Sequence, residues 1–312
     1  MGFSKSKVTD VIVIGAGPSG LSASLYAGRA KLSTIVIEKG VPGGLAATTH
    51  WIENYPGFPE GISGSDLMQK MVEQVERFGS EFVYSSVNSV STDNKSYFSV
   101  ASDSGVFTSK AVIISTGTNP LNLDVPGEDR LRGLGVSYCA TCDGPFFRGK
   151  DLLVIGGGDS AIAEALFLTR FASKVTVVHR RDQLRAAKSI QDHAFNNPKI
   201  EFRWDSVVNE ILGEAKVEGA VLKDVRTGRV ESIKTDGIFV AIGSRPDTGF
   251  IKVKVDKDER GYILTDERMR TPTLGLFAAG DVRAKSLRQV VTAVSDGAIA
   301  AVEAEQYLAA GK

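Results

Sequence analysis

Only two cysteines and three histidines occur in 312 residues, and the charges cancel, 37 basic against 37 acidic. Each scarcity excludes something. A closed zinc site needs four nitrogen or sulfur ligands. Cys139 and Cys142 supply two, and His50, His179 and His193 lack the close spacing of a ligating pair, so no metal centre is expected. Balanced charge, with no clustered Lys/Arg arm, argues against nucleic acid or a membrane surface as partner. No apolar run approaches the roughly 18 residues of a membrane span. The polar lead before the first apolar run has no small-residue cleavage site, so a signal peptide is not expected. Met1–Ser6 fits a loose myristoylation pattern and is read instead as a polar tail. The default compartment is then the cytoplasm, where a lasting structural disulfide is unusual. The two cysteines stand in Ser137–Pro145, "SYCATCDGP", with two residues between them. With metal and staple set aside, a reversible redox pair is the leading reading.

What the chain has in quantity is glycine, 33 residues, and two groups of them carry chemistry. Gly15–Gly20, "GAGPSG", reads G-x-G-x-x-G. It follows a strand-like run, Asp10–Ile14, opens a helix-like stretch, Leu21–Leu32, and leads to a second strand, Ser33–Glu38. In that context the glycines permit a tight turn and let backbone N–H groups approach a pyrophosphate at the positive end of a helix. The pattern returns in Gly156–Ala161, "GGGDSA", after the strand Asp151–Ile155, with a helix over Ile162–Phe171 and a strand over Lys174–Val178. The registers agree: Gly15 to Glu38 and Gly156 to His179 are both 23 positions. Their sequels differ. Glu38 ends the first unit, where a carboxylate can accept from a free ribose 2′-hydroxyl. His179, Arg180 and Arg181 end the second, with Arg185 four positions on, and guanidinium groups suit a 2′-phosphate. The first unit is therefore expected to hold FAD and the second NADPH.

Two further segments resemble each other, Ala111–Pro120 and Gly237–Pro246, each an apolar strand ending in Gly-x-x-Pro. They bracket the second nucleotide unit and read as crossings between two domains. Thr273–Asp281 is a strand run capped by Gly-Asp, and Arg288 and Gln289 lead into a helix over Val290–Leu308. The expected fold is α/β, with two Rossmann-like nucleotide-binding domains. The nicotinamide domain, 119–248, is inserted into a discontinuous flavin domain, 1–118 and 249–312.

With these motifs in view, the sequence resembles the low-molecular-weight thioredoxin reductases. The resemblance covers nearly the whole chain: GAGPSG, the loop "VPGGLAATTHWIENYPGF" (41–58), CATCDG, GGGDSA, HRRDQLRA and the "GLFAAGDV…RQV" ending. It implies a flavoprotein homodimer that carries the redox pair on its nicotinamide domain and has thioredoxin as its partner. By position, Gly15, Gly17, Gly20 and Glu38, with Pro18, Ser19 and Lys39, would contact the adenosine and pyrophosphate of FAD. Gly43, Gly44, Leu45, Asn54, Thr116, Gly117, Gly280, Asp281, Arg288, Gln289 and Val290 would complete the flavin site. The NADPH site would comprise Gly156, Gly158, Asp159, Ser160, His179, Ile242 and Gly243, with Arg180, Arg181 and Arg185 on the 2′-phosphate. The chain departs from many relatives at Leu45, where Gln is usual, and at Leu287, where several carry an aromatic residue.

A hydride donor, a flavin and a disulfide form a workable relay. The resemblance makes Cys142 the sulfur next to the flavin and Cys139 the one that attacks the thioredoxin disulfide, the mixed disulfide then being resolved by Cys142. Asp143 would handle the proton. A glutaredoxin-like or peroxiredoxin-linked acceptor is the alternative, although the latter reductases usually carry an extra N-terminal thiol domain and about nine residues precede the first strand here. The glutathione-reductase class has C-x₄-C, which this chain lacks, and relatives that draw electrons from ferredoxin lack the nicotinamide motif that it keeps. His193, Trp51 and Trp204 are read as ordinary surface or packing residues.

Overall fold

Thr9–Ile14 is apolar over its last four residues and β-branched at five of six, which is how a strand covered on both faces reads. In the computed structural model it is a central strand, with Val11, Ile12 and Val13 fully buried. The structure describes residues 8–49, 51–92 and 97–311. The Met1–Ser6 pattern and His50 lie outside them. The chain forms two compact units, Met1–Asn119 with Arg245–Lys312, and Pro120–Ser244.

In the first unit, Thr9–Ile14 pairs in parallel with Thr34–Glu38 on one side and Gly105–Ile114 on the other, Ile12 facing Ile35 and Val112. The sheet runs Glu81–Tyr84, Thr34–Glu38, Thr9–Ile14, Gly105–Ile114, Phe98–Ser102, Val87–Thr92, and Leu276–Ala278 joins it parallel to the end of Gly105–Ile114. Helix Pro18–Arg29 packs against the long helix Val290–Ala310 through small residues, Ala23 and Ala27 on one and Ala300, Ala301 and Ala304 on the other. A methyl at Gly297 would collide with the Ser19 carbonyl, so glycine there is what lets the two backbones close up. Ser22 Oγ donates to Val294 O at 2.8 Å across the same contact. Helix Gly64–Arg77 starts on Ser63, whose hydroxyl accepts from Asp66 N–H at 3.0 Å. It turns Leu67, Met68, Met71 and Val75 inward.

The second unit is built on a parallel sheet ordered Ile200–Arg203, Lys174–Val178, Asp151–Ile155, Gly237–Val240, Val136–Ser137. Helix Asp159–Leu168 covers one face, burying Ile162, Ala165 and Leu168 with Leu152, Val154 and Phe239. Each of these side chains but Ala165 contributes roughly 1.5–3 kcal/mol relative to exposure. The other face carries an antiparallel layer that the sequence reading does not contain, Ser206–Leu212, Gly219–Asp224 and Val230–Lys234. Its Val208, Ile211, Ala220 and Leu222 bury against Leu153, Ile155, Ile238 and Val240.

Both nucleotide-turn helices start three residues earlier than read from sequence, at Pro18 rather than Leu21 and at Asp159 rather than Ile162. Proline is pre-organised for a first helical position, and the glycine turn itself supplies the preceding extended residue. The first helix also ends earlier, at Arg29, because the chain turns at Lys31, which has φ +58°.

Candidate functional site

In the first unit, Gly15 N–H donates to Ile37 O at 2.8 Å and Gly15 has φ +98°. A methyl there would stand 2.6 Å from Ser115 O. Gly20 faces inward as well, against the Gly15 carbonyl. Gly17 is the opposite case: nothing lies within 4 Å of the place its Cβ would take. It precedes helix Pro18–Arg29, which has no side-chain cap and no acidic residue in its first turn. Free N–H groups and the positive end of the helix dipole therefore open onto empty space, which suits a phosphate.

Other sequence-predicted residues gather around this turn. Glu38 accepts from Ala16 N–H at 2.7 Å and from Gly40 N–H at 2.9 Å, so its carboxylate is held at the rim, with Lys39 exposed beside it. Gly43 N–H donates to Ala16 O at 2.7 Å, and a methyl on Gly44 would lie 3.3 Å from Gly17 Cα. Leu45 follows, exposed. Thr116 borders Gly15, and Gly117 has φ +63°. Gly280, φ +79°, packs on Ser19. Asn54 Nδ2 donates to Gln289 Oε1 at 3.1 Å, and Gln289 caps the helix that begins at Val290. Two buried polar atoms here have no hydrogen-bond partner among the described residues, Asp281 Oδ1 and Arg288 Nε. The Arg288 guanidinium lies 4.0 Å from the Tyr262 ring centroid. Asp281 Oδ1 has an ion pair with Lys285 Nζ at 3.2 Å, whereas Arg288 Nε is left without a hydrogen bond among the described residues, and a buried donor of that kind fits a bound dinucleotide.

The second unit repeats the construction. Gly156 N–H donates to Val178 O at 3.1 Å with φ +149°, and a methyl there would run into the Ala241 carbonyl. Gly158 has open space around it and precedes the uncapped helix Asp159–Leu168. The arginine loop is tied back to this turn: Arg185 N–H donates to Gly157 O at 2.7 Å, and Ala187 N–H to Asp159 Oδ1 at 2.7 Å. A cavity of about 450 Å³ lies beside it, lined by Gly156, Gly157, His179, Arg180, Arg185 and Ile242 among others. Ser160 is exposed on the first helical turn, and Gly243, φ +121°, accepts from Leu121 N–H at 2.9 Å.

His179 is buried, and its ring packs on Gly157 so closely that a methyl there would lie 2.5 Å from Nδ1. Burial first, then the Arg185 charge, holds its imidazole below the usual value, and Nε2 has no hydrogen-bond partner among the described residues. Arg181 is exposed and does not line the cavity. Sequence reasoning missed Leu121, Leu123 and Ser206–Val208, which do line it. They carry no motif and arrive there through chain crossing and the antiparallel layer.

Cys139 and Cys142 form a disulfide, with Cα atoms 5.4 Å apart, on the short helical turn Ala140–Asp143. Cys142 N–H donates to Cys139 Sγ at 3.2 Å, and Cys139 N–H to Ser137 Oγ at 3.1 Å. Cys142 is exposed and Cys139 half-buried. Asp143 closes the turn, its N–H donating to Cys139 O at 3.1 Å. Ala140 is buried in the core beside Ala161 and Ala165, which anchors the pair to the helix of the second glycine turn. Trp204 stacks flat on Phe202 at 4.8 Å, and His193 lies on helix Lys188–Phe195, exposed.

The sequence matches the family model for pyridine nucleotide-disulphide oxidoreductases over residues 9–297. It is 50% identical over 307 residues to a thioredoxin reductase of Bacillus subtilis, covering 98% of this chain and 96% of that one. It is 49% identical over 307 residues to a thioredoxin reductase of Listeria monocytogenes, covering 98% and 95%. Among solved structures, Lactococcus lactis thioredoxin reductase in its FR conformation is similar with a TM-score of 0.93 at 47% identity, covering 97% of this chain and 99% of that one. The enzyme of T. acidophilum gives 0.92 at 35%, covering 98% and 100%.

Proposed function

This chain belongs to the pyridine nucleotide-disulphide oxidoreductases and, within them, to the thioredoxin reductases, and from that premise we propose how its residues divide the work. It is an NADPH-dependent flavoprotein disulfide reductase that acts on thioredoxin through Cys139 and Cys142. The relatives do not favour a glutaredoxin-like or peroxiredoxin-linked acceptor. FAD and NADPH, when bound, supply the hydride chemistry that no side chain provides.

The observation that carries the assignment is one backbone construction used twice with different sequels. The unit of Met1–Asn119 and Arg245–Lys312 holds FAD. Gly15, Gly17 and Gly20 let the backbone meet its pyrophosphate, and Glu38 accepts from its ribose. The unit Pro120–Ser244 holds NADPH, with Gly156 and Gly158 at the pyrophosphate and Arg180 and Arg185 at the 2′-phosphate.

The cysteines of the reduced enzyme then act in order. Cys139 thiolate attacks one sulfur of the thioredoxin disulfide, forming a mixed disulfide and expelling a thioredoxin thiolate. Cys142 thiolate attacks Cys139 Sγ, which restores the Cys139–Cys142 bond and releases the second thioredoxin thiolate. The two protons shed by the cysteines end on thioredoxin, and Asp143 is placed on the same turn to carry one. The order is supported by the N–H that Cys139 Sγ accepts from Cys142, because a donated N–H stabilises a thiolate. A homodimer and a cytoplasmic setting follow the family pattern alone. Among the described residues, no helix is long and apolar enough to cross a membrane.

Anaerobic NADPH should bleach the flavin absorbance, and thioredoxin should restore it with release of two thiols. The Cys139→Ser protein should still bleach and lose thioredoxin turnover. Full turnover in that variant removes the cysteine pair from the relay, and a purified chain that takes up no flavin removes the whole assignment.

A further inference from the structure

Four charged groups lie together beneath the turn Gly280–Val282, which follows the strand Leu276–Ala278 in the unit assigned to FAD. Asp296, on the C-terminal helix, accepts from Gly280 N–H at 3.1 Å through Oδ2. Lys285 Nζ donates to that same oxygen at 3.2 Å and to Thr292 Oγ1 at 3.3 Å. Arg283 Nη1 stands 3.4 Å from both Asp296 oxygens, and its Nε donates to Thr265 Oγ1 at 2.8 Å. Lys285 Nζ also lies 3.2 Å from Asp281 Oδ1. The side chains of Lys285 and Asp296 are 8% and 9% exposed, that of Arg283 13%, and that of Asp281 33%.

Two cations against two carboxylates balance, which is the condition for keeping such charges out of water. Asp296, however, is already served by Gly280 N–H and Arg283 and does not require a second cation. What Lys285 adds is a hold on Asp281. The Oδ1 atom of Asp281 is buried without a hydrogen bond among the described residues, and Lys285 is the cation paired with it there. The Asp281 side chain as a whole is one-third exposed, so its open part lies away from Oδ1.

We infer that Lys285 is a positioning residue for FAD: braced on Asp296, it draws in Asp281 Oδ1 and leaves the open side of the carboxylate to accept from a cofactor hydroxyl. Asp296 serves the same end twice over, since it anchors both Lys285 and the Gly280 N–H of the turn that carries Asp281. None of Arg283, Lys285 or Asp296 belongs to a glycine motif, and the inference rests on FAD occupying this unit.

The test is titration of FAD into flavin-stripped protein, followed by flavin fluorescence, with NADPH binding to the same samples as control. Lys285→Met should raise the FAD Kd at least tenfold and leave NADPH binding within about threefold. Lys285→Arg, which keeps a cation, should stay within about threefold of the parent for both. Bound FAD in Lys285→Met should also show an altered visible spectrum, a change that mere loss of stability would not produce. Should Lys285→Met fail to fold, Asp296→Asn, which keeps the side chain's shape, should raise the FAD Kd about threefold or more. An FAD Kd unchanged in Lys285→Met, or in Asp296→Asn where that variant must stand in, overturns the inference, as does Lys285→Arg losing as much as Lys285→Met. A parent protein that binds no FAD would instead overturn the assignment of the unit.

Discussion

Glu164 is the residue whose chemistry the cofactor motifs do not foretell. It lies on helix Asp159–Leu168 with Oε2 buried and without a partner among the described residues, and desolvation pushes its carboxyl up to about 7 from 4.5. The direction of the stability effect follows from proton counting. Between those values the folded chain holds a proton that the unfolded chain has lost, so stability falls as pH rises through this window. At one pKa step per roughly 1.4 kcal/mol, the contribution is on the order of 1–3 kcal/mol. Glu164→Gln, which cannot ionise, should remove that loss. In urea unfolding with saturating FAD, the parent should be penalised at pH 8 relative to pH 5 by this amount more than the variant. Parallel pH profiles for the two proteins would show that Glu164 is not buried as described.

At the scale of elements, the two glycine turns distinguish glycines that keep the fold from glycines that keep space. Gly156 has φ +149° and sits against the Ala241 carbonyl, so Gly156→Ala should cost about 1–3 kcal/mol through strain and overlap. Gly158 has an ordinary negative φ and open surroundings. Gly158→Ala should hold stability within about 0.5 kcal/mol yet raise KM for NADPH about tenfold or more, because on the proposed assignment the methyl enters the room kept for the pyrophosphate. Thermal unfolding and steady-state kinetics on both variants check the split. If Gly158→Ala binds NADPH normally, the open space is not the phosphate site. These turns were legible in the sequence because their requirement is local: a residue type at a fixed offset between an apolar strand and a helix. The apolar strands Thr9–Ile14 and Asp151–Ile155 were legible for the same reason. The antiparallel layer Ser206–Lys234 was not, since a bulge between Val208 and Glu210 breaks the period-two pattern of its first strand and Val230–Lys234 is mostly exposed. The hold of Lys285 on Asp281, the burial of His179 under Gly157 and the cavity lining by Val208 also escaped notice. Each depends on chain segments meeting in space, which no spacing rule records.

For the whole molecule the question is how one chain with no net charge directs two similar dinucleotides to two similar turns. A global field cannot do it, so the choice must be local, and on the proposed division of the cofactors it rests on the residues after each second strand. Glu38 is fixed by Ala16 and Gly40 N–H groups and would repel a 2′-phosphate. Arg180 and Arg185 line the cavity beside Gly156, and a backbone hydrogen bond from Arg185 to Gly157 keeps that loop against the turn. Charge-assisted hydrogen bonds are worth about 1.5–3 kcal/mol each, so Arg180→Ala and Arg185→Ala should each raise KM for NADPH roughly ten- to hundredfold, and the double variant about a hundredfold or more. NADH lacks the 2′-phosphate and should change by no more than about threefold, with kcat largely kept. Arg181→Ala should have a smaller effect than either, because its side chain stands outside the cavity lining. Added salt should weaken NADPH binding in the parent and much less in the double variant, since screening acts on charges the variant no longer has. Steady-state kinetics with both cofactors at two ionic strengths settles it. Equal losses for NADPH and NADH would mean that the arginines shape the cavity without reading the phosphate, and the division of the two cofactors between the units would then need another cause.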